Sequence, residues 1–335
     1  MSALHEFQGT EISESIVYFS GMGHHQITVV LCTESHFEFK SRTLVRSIRL
    51  RGGALSDARI CSFSPRPGHG PSENTLEFFD KQGVEHFDQP LNTDKFVDYP
   101  FYNKIAATAF AEEHFPDERL VFFDSDMIVL KDLSLLACSD APLMLRPVDS
   151  TGIGASSKND PNFDYWKKLW DVAGIEHDVG RITTTLTGES VFNYWNAGLI
   201  SANRDLFLFS RWNKIFLESW GRKIFPSNRL YMDQSTLAAA VESIGVPVAQ
   251  LPETYNTPFF EDTLPKISPS VFRDSALIHY HHSLDGMFTA MAFLRMFGKS
   301  LTAVEIASIA NQSSRNFRRR MLGRVRPGKN HSIAA

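Results

Sequence analysis

Along the chain, short continuous apolar runs alternate with segments of helical spacing. Residues 27–33 (ITVVLCT) are apolar and β-branched, and residues 38–50 follow with Phe39, Leu44, Val45 and Ile48 in a helical arrangement. The alternation continues through a strand near 58–63, a helix near 73–82, a strand near 84–87, a helix over 101–114 and an apolar run of Leu120, Val121, Phe122 and Phe123. Strands that are apolar at every position are buried on both faces. The pattern therefore predicts an α/β fold with a Rossmann-like, mostly parallel sheet flanked by helices.

The middle of the chain is less regular. Residues 147–190 are rich in Gly, Ser, Asn, Asp and Thr around one amphipathic segment at 163–173. They read as a long loop-rich insertion, of the kind that forms lids or binding loops. Beyond it the pattern predicts a short strand at 198–201, helices at 204–220 and 231–244, strands near 246–250 and 276–280, and helices near 286–297 and 301–310. The expected organisation is an N-terminal segment over 1–25, a single domain over 26–310 and a basic tail over 311–335. The tail has few apolar residues, which points to disorder.

Composition narrows the class. A chain of 335 residues that is 43% hydrophobic and 21% charged is an ordinary globular one, and one α/β domain accounts for that length. The formal net charge of −4 excludes a wholly basic nucleic-acid binder and a polyacidic disordered chain. That average is uneven. Residues 311–335 hold Arg315, Arg318, Arg319, Arg320, Arg324, Arg326 and Lys329 with no acidic residue, so taking this +7 from −4 leaves −11 on residues 1–310.

The cysteines, Cys32, Cys61 and Cys138, show neither a disulfide framework nor zinc spacing, so a reducing, cytoplasmic setting is the default. The first 19 residues carry Glu6, Glu11 and Glu14 and no apolar signal core, and no apolar run approaches the ~20 residues that span a bilayer. The helix near 286–297 reads first as core. Followed by the arginines, it also fits peripheral contact with an anionic membrane. Nucleic-acid binding by the tail is not expected, because its aromatic content is limited to Phe317.

Residues 120–130 (LVFFDSDMIVL) carry the most informative chemistry. Four apolar residues run into Asp124 and Asp126, whose side chains would share one side of an extended strand. Two like charges so placed repel unless a cation lies between them, and carboxylate oxygens suit hard cations such as Mg²⁺ or Mn²⁺. The carboxyl end of a strand is also where open α/β sheets bind ligands. Two other readings compete: solvated turn residues, and a metal-dependent phosphohydrolase of the haloacid dehalogenase type. Against the latter, Ile128 stands where Thr or Val is usual, and the motif lies far from the start of the chain.

Further blocks occur in order around this motif. They are Tyr102-Asn103-Lys104-Ile105 upstream, then Trp195-Asn196-Ala197-Gly198-Leu199-Ile200, Met232-Asp233-Gln234, Leu251-Pro252-Glu253-Thr254-Tyr255-Asn256 and Ile278-His279-Tyr280. With Asp124-Ser125-Asp126, this succession resembles the nucleotide-sugar glycosyltransferases of the GT-A fold, most closely the glycogenin-like family 8, over roughly residues 26–283. The resemblance implies a single GT-A type domain and a UDP-linked sugar donor. It further implies Mn²⁺ (or Mg²⁺) held by Asp124, Asp126 and His279, and transfer to a hydroxyl of a glycan or glycolipid with retention of configuration.

Under the same resemblance Leu31, Thr33 and Phe37 receive the base, and Lys104 and Ser125 lie on the donor side. Asn196, Asp233 and Gln234 line the sugar and acceptor cleft together with Asp126. From the residues alone, other readings stay open: Lys104 as an exposed helix lysine, His279 as a core histidine, Asp233 as a helix cap and Phe37 as a loop anchor. The family pattern is broken where His282 and Asp285 replace the Gly and Lys expected to grip the diphosphate. That departure leaves a degenerate, non-catalytic binding protein as the alternative.

Overall fold

The computed structural model describes residues 27–93, 96, 99–138 and 140–324. The N-terminal segment 1–25, and Arg326 and Lys329 of the tail, lie outside the described residues. The first half alternates as the pattern predicts, through β1 (Ile27–Cys32), α1 (Glu38–Arg51), β2 (Arg59–Phe63), α2 (Glu73–Lys81), β3 (Val84–Phe87), α3 (Tyr102–His114) and β4 (Arg119–Phe123). Then follow β5 (Met127–Val129), β6 (Leu143–Pro147), α4 (Phe163–Ala173), β7 (Arg181–Thr183), β8 (Ser190–Phe192), β9 (Trp195–Asn203), α5 (Leu208–Gly221) and α6 (Met232–Ile244). The chain continues with β10 (Ala249–Gln250), β11 (Thr257–Pro258), α7 (Pro269–Asp274), β12 (Leu277–His279), α8 (Met287–Phe297) and α9 (Ala303–Arg324).

The large sheet has the order β10-β6-β9-β4-β1-β2-β3. It is parallel except where β9 runs against both β4 and β6. Successive side chains of each central strand enter different cores. Val30, Leu120, Phe122 and Ile200 pack on one side with α3, α5 and α6 residues, and Val29, Leu31, Val121, Phe123 and Leu199 pack on the other with α1 residues. This two-sided burial is why the strands are apolar throughout. β6 was not expected. Only five residues long and ended by Arg146 and Pro147, it offers too brief an apolar run to register as a strand, although Leu143 and Leu145 face one core and Met144 the other.

A second sheet, β11-β12-β5, is built directly after the carboxylate motif. β5 pairs antiparallel with β12, setting Met127 opposite His279 and Ile128 opposite Ile278. The insertion contains α4 at the expected 163–173 and an unexpected β7–β8 hairpin.

The C-terminal segment differs from the expectation of disorder beyond residue 310, because α9 continues as a helix to Arg324. A capping box starts it. Thr302 Oγ1 accepts from the Glu305 N–H at 3.2 Å, and Glu305 Oε2 accepts from the Thr302 N–H at 2.8 Å. Glu305 is fully buried and also paired with Arg51, while Ile309 and Ser313 are buried further along. A few well-placed anchors thus hold a helix whose composition alone reads as solvated. Among the described residues no helix is long and apolar enough to cross a membrane.

Candidate active site

The carboxyl ends of β4 and β1, the start of β9, the N-terminus of α6 and the loop after β12 enclose one cleft of about 1140 Å³. Asp124, Ser125, Asp126, Phe37, Lys104, Asn196, Asp233, Gln234 and His279 all line it. Residues from five expected blocks, with Phe37, therefore meet. Leu31 and Thr33 do not. Both are fully buried, and the Thr33 hydroxyl accepts a hydrogen bond from Ser62 at 2.7 Å. The correction is one of strand parity: at the end of β1 it is Cys32 and Glu34 that face the cleft. Glu34 is held there by two N–H groups of Arg66 and by Asn103 Nδ2 at 2.7 Å.

Asp124 and Asp126 are not neighbours on one straight strand. β4 ends at Phe123, the Asp124 N–H bonds the Gly198 carbonyl of β9 at 2.8 Å, and a turn through Ser125 carries the chain into the small sheet. There the Asp126 carbonyl accepts from the Tyr280 N–H at 3.0 Å. The carboxylates acquire separate partners. Asp124 lies 2.8 Å from Lys104 Nζ, which also reaches Asp233 at 3.2 Å.

Lys104 projects from α3 and is 7% exposed, so it is not a solvated helix lysine. Burial would lower its pKa, but Asp124 and Asp233 hold it above the ordinary value. Burial raises the pKa of Asp233, and Lys104 opposes this. The Asp233 side chain caps no helix, and its Oδ1 is buried with no hydrogen-bond partner. An unsatisfied buried acceptor of this kind is a place for a ligand hydroxyl.

Asp126 has different company. Its Oδ1 lies 3.0 Å from His279 Nε2, and its Oδ2 lies 3.6 Å from Lys40 Nζ. Burial works against its charge, but His279, Lys40 and His281 hold its pKa well below the carboxylate range. Lys40 also donates to the His281 carbonyl at 2.6 Å and so supports that residue in its left-handed conformation, φ 49°. The His279 and His281 rings stack with centroids 3.8 Å apart. Burial, aided by His279, pushes His281 down to about 3, so its ring is neutral and keeps a lone pair.

The orientation of His279 follows from a relay. Asn196 Oδ1 accepts from the Gly198 N–H at 2.8 Å and from Asn256 Nδ2 at 2.9 Å. With its nitrogen committed to Asn196, Asn256 presents its oxygen to His279 Nδ1 at 2.9 Å. Nδ1 must therefore carry a proton, which leaves Nε2 facing Asp126 as the metal-competent nitrogen. Gly198 is required where these parts converge, since a Cβ there would lie 3.0 Å from Asp124 Oδ2, His279 Cε1 and Met127 Cε.

Among the described residues, Asp126, His279 and His281 each offer a ligand atom within 4.8 Å of the others. One carboxylate oxygen and two imidazole nitrogens form a mixed donor set that can hold a divalent transition-metal ion, Mn²⁺ among them. The expected trio shares two of these residues, with Asp124 in place of His281. His282 is exposed and pairs with Asp285 at 3.5 Å.

Sequence reasoning left Lys40 out of the site, placed Asn256 in a block without giving it a role, and did not count His281 among the metal ligands. A signal existed for the first. Lys40, Leu44 and Ile48 recur at four-residue spacing on one face of α1, and a lysine on a buried face needs a partner.

The chain is similar to known proteins in fold and, over most of its length, in sequence. In a solved apo structure, the bifunctional glycosyltransferase WbbM shares 16% identity with a TM-score of 0.55, covering 89% of this chain and 52% of its own. The present chain thus spans about half the length of that protein. The glycosyltransferase GlyE of Streptococcus pneumoniae TIGR4 shares 14% identity with a TM-score of 0.49, covering 87% of this chain and 64% of its own. No curated protein matches the sequence. Residues 28–245 match the family model of the Rhodobacterales glycosyltransferase domain, which takes in β1 through α6 and every cleft element before β11. With well over half of its residues matched, the chain belongs to the Rhodobacterales glycosyltransferase domain family.

Proposed function

We propose that the chain moves a sugar from a UDP-linked donor to a hydroxyl of a glycan or glycolipid, with retention and with Mn²⁺ (or Mg²⁺) as cofactor. In this reading residues 26–310 form one GT-A domain of the family 8 type, with 147–190 as its insertion. The observation that carries the proposal is the convergence of Asp126, His279 and His281 within 4.8 Å, beside a Lys104-bound Asp124, in one cleft at the ends of buried strands.

When bound there, the cation supplies charge compensation and Lewis acidity to the departing diphosphate. The chain's own residues divide the remaining work. Glu34, Arg66 and Phe37 lie at the β1 end of the cleft, where the fold receives the base. Lys104 adds a fixed positive charge on the donor side, and the unpartnered Asp233 Oδ1 accepts a sugar hydroxyl. Lys40, buried under the cleft floor, holds the His281 carbonyl from α1, so it steadies the metal cluster in place of the segment after His279. Retention makes the leaving phosphate the acceptor of the incoming hydroxyl proton, so no protein base is assigned. A glycolipid acceptor also suits the basic C-terminal segment, which fits an anionic membrane surface.

Titration calorimetry of the full chain with UDP, with and without Mn²⁺, tests the reading. Mn²⁺-dependent binding that Asp126→Asn abolishes is the expected result. Binding that is independent of both would overturn it.

A further inference from the structure

α8 has two unlike faces. Ala290, Phe293 and Phe297, at i, i+3 and i+7, are buried against Phe259 and its neighbours. Phe288, Met291 and Arg295 repeat the same spacing on the outside, where Phe288 is 80% and Met291 48% exposed. Met296 and Val304 are also exposed, at 47% and 59%. A large aromatic ring left almost wholly in water is unusual for a core helix, and the first expectation for this segment, burial throughout, is corrected accordingly.

The charges around this face have one sign. From Gly286 to Arg324 the sole acidic residue is Glu305, and it is fully buried against Arg51. Every other charged residue of the segment is basic: Arg295, Lys299, Arg315, Arg318, Arg319, Arg320 and Arg324. Along the sequence the negative charge lies elsewhere, −11 over residues 1–310 against +7 beyond. Exposed apolar side chains beside the exposed Arg295 and Lys299 match the chemistry of an anionic bilayer, with rings and thioethers entering the acyl boundary and cations lying among the headgroups.

Position supplies the second argument. Gly286 and Thr289, in the first turn of α8, line the wall of the transfer cleft, and Phe288 lies between them in sequence on the outward face. A surface seated on Phe288 and Met291 would sit at the rim of the cleft. We propose that the outer face of α8, with the basic residues of α8 and α9, docks the protein on anionic lipid so that the cleft opens at the membrane surface. The acceptor class this selects, a lipid-anchored hydroxyl, rests on the transfer reading above; the docking itself does not.

Co-sedimentation of the full chain with phosphatidylcholine vesicles, with and without phosphatidylglycerol, tests the proposal. The wild type is expected to bind only the anionic vesicles, and less as salt is raised. Phe288→Ser with Met291→Ser should lower partitioning at least about tenfold, and Arg295→Glu with Lys299→Glu by about as much. Both pairs are solvent-facing, and unchanged melting temperature and unchanged Mn²⁺-dependent UDP binding would separate docking from folding and from the transfer site. Equal binding to neutral and anionic vesicles, or wild-type partitioning by both double variants, overturns the proposal. So does a dimer in sedimentation equilibrium that the Phe288→Ser, Met291→Ser variant dissolves, because a second copy would then cover the face.

Discussion

Asp124 and Asp126 stand one residue apart, yet the protein treats them as members of different structures. Asp124 belongs to the large sheet through Gly198 and shares a buried lysine with Asp233. Asp126 belongs to the small sheet through Tyr280 and is surrounded by His279, His281 and a second lysine. In the first group, two carboxylates surround one ammonium and an acceptor oxygen is left over. In the second, one carboxylate meets two imidazoles whose nitrogens are oriented for a cation. A motif that is symmetric on paper thus separates into two unlike sides, to which the proposed function gives hydroxyls on the one hand and metal and phosphate on the other.

Removing the cation of the first group has the largest effect. Lys104→Met leaves Asp124 and Asp233 buried together, and a loss of about 3–5 kcal/mol in urea unfolding is expected. Asp126→Asn acts on the second group, where transfer measured as kcat/KM should fall on the order of 10²–10³-fold with folding retained. Should these two variants give interchangeable results, with the same loss of stability and of rate, the division is overturned.

Asn256→Ala probes the relay behind His279. Mn²⁺ affinity by calorimetry should drop about 10–100-fold, while the Lys104 cluster keeps its stability. The smallest effect serves as a control. Glu305 is also a buried, paired carboxylate, but it lies outside the cleft, so Glu305→Gln should cost about 1–2 kcal/mol in stability and leave kcat/KM unchanged. Burial would raise the Glu305 pKa, but Arg51 and Thr302 hold it below 4.5. Its stabilisation is therefore present above that pH and lost as the pH falls through the folded value. Acid unfolding of Glu305→Gln should lack this part of the pH dependence.

The sheet was legible because its strands are buried on both faces, and apolar runs such as 27–32 and 119–123 announce that directly. The site was legible only in part. Lys104, Asp126, Asn196, Asp233 and His279 fall within blocks that keep their order along the chain. Lys40 and Asn256 act through contacts with residues 23 to 241 positions away, such as Lys40 on the His281 carbonyl, and no local pattern encodes such a contact. Leu31 and Thr33 were displaced by parity alone, since a strand alternates its side chains and one residue of slip changes which ones see the ligand. The helix beyond residue 310 was hidden because its anchors, Thr302 and Glu305, precede the basic stretch they organise.

The turn at Ser125 has a mechanical consequence. It is the covalent link between a carboxylate mounted on the large sheet and one mounted on the small sheet. A displacement of the small sheet as a body would change the spacing between the two groups directly, without any side chain leaving its rotamer. The span across the cleft is thus set by sheet-on-sheet packing rather than by loop conformation, so substitutions in the cores beneath β5 and β12, far from any substrate atom, will read out as changes in reaction rate.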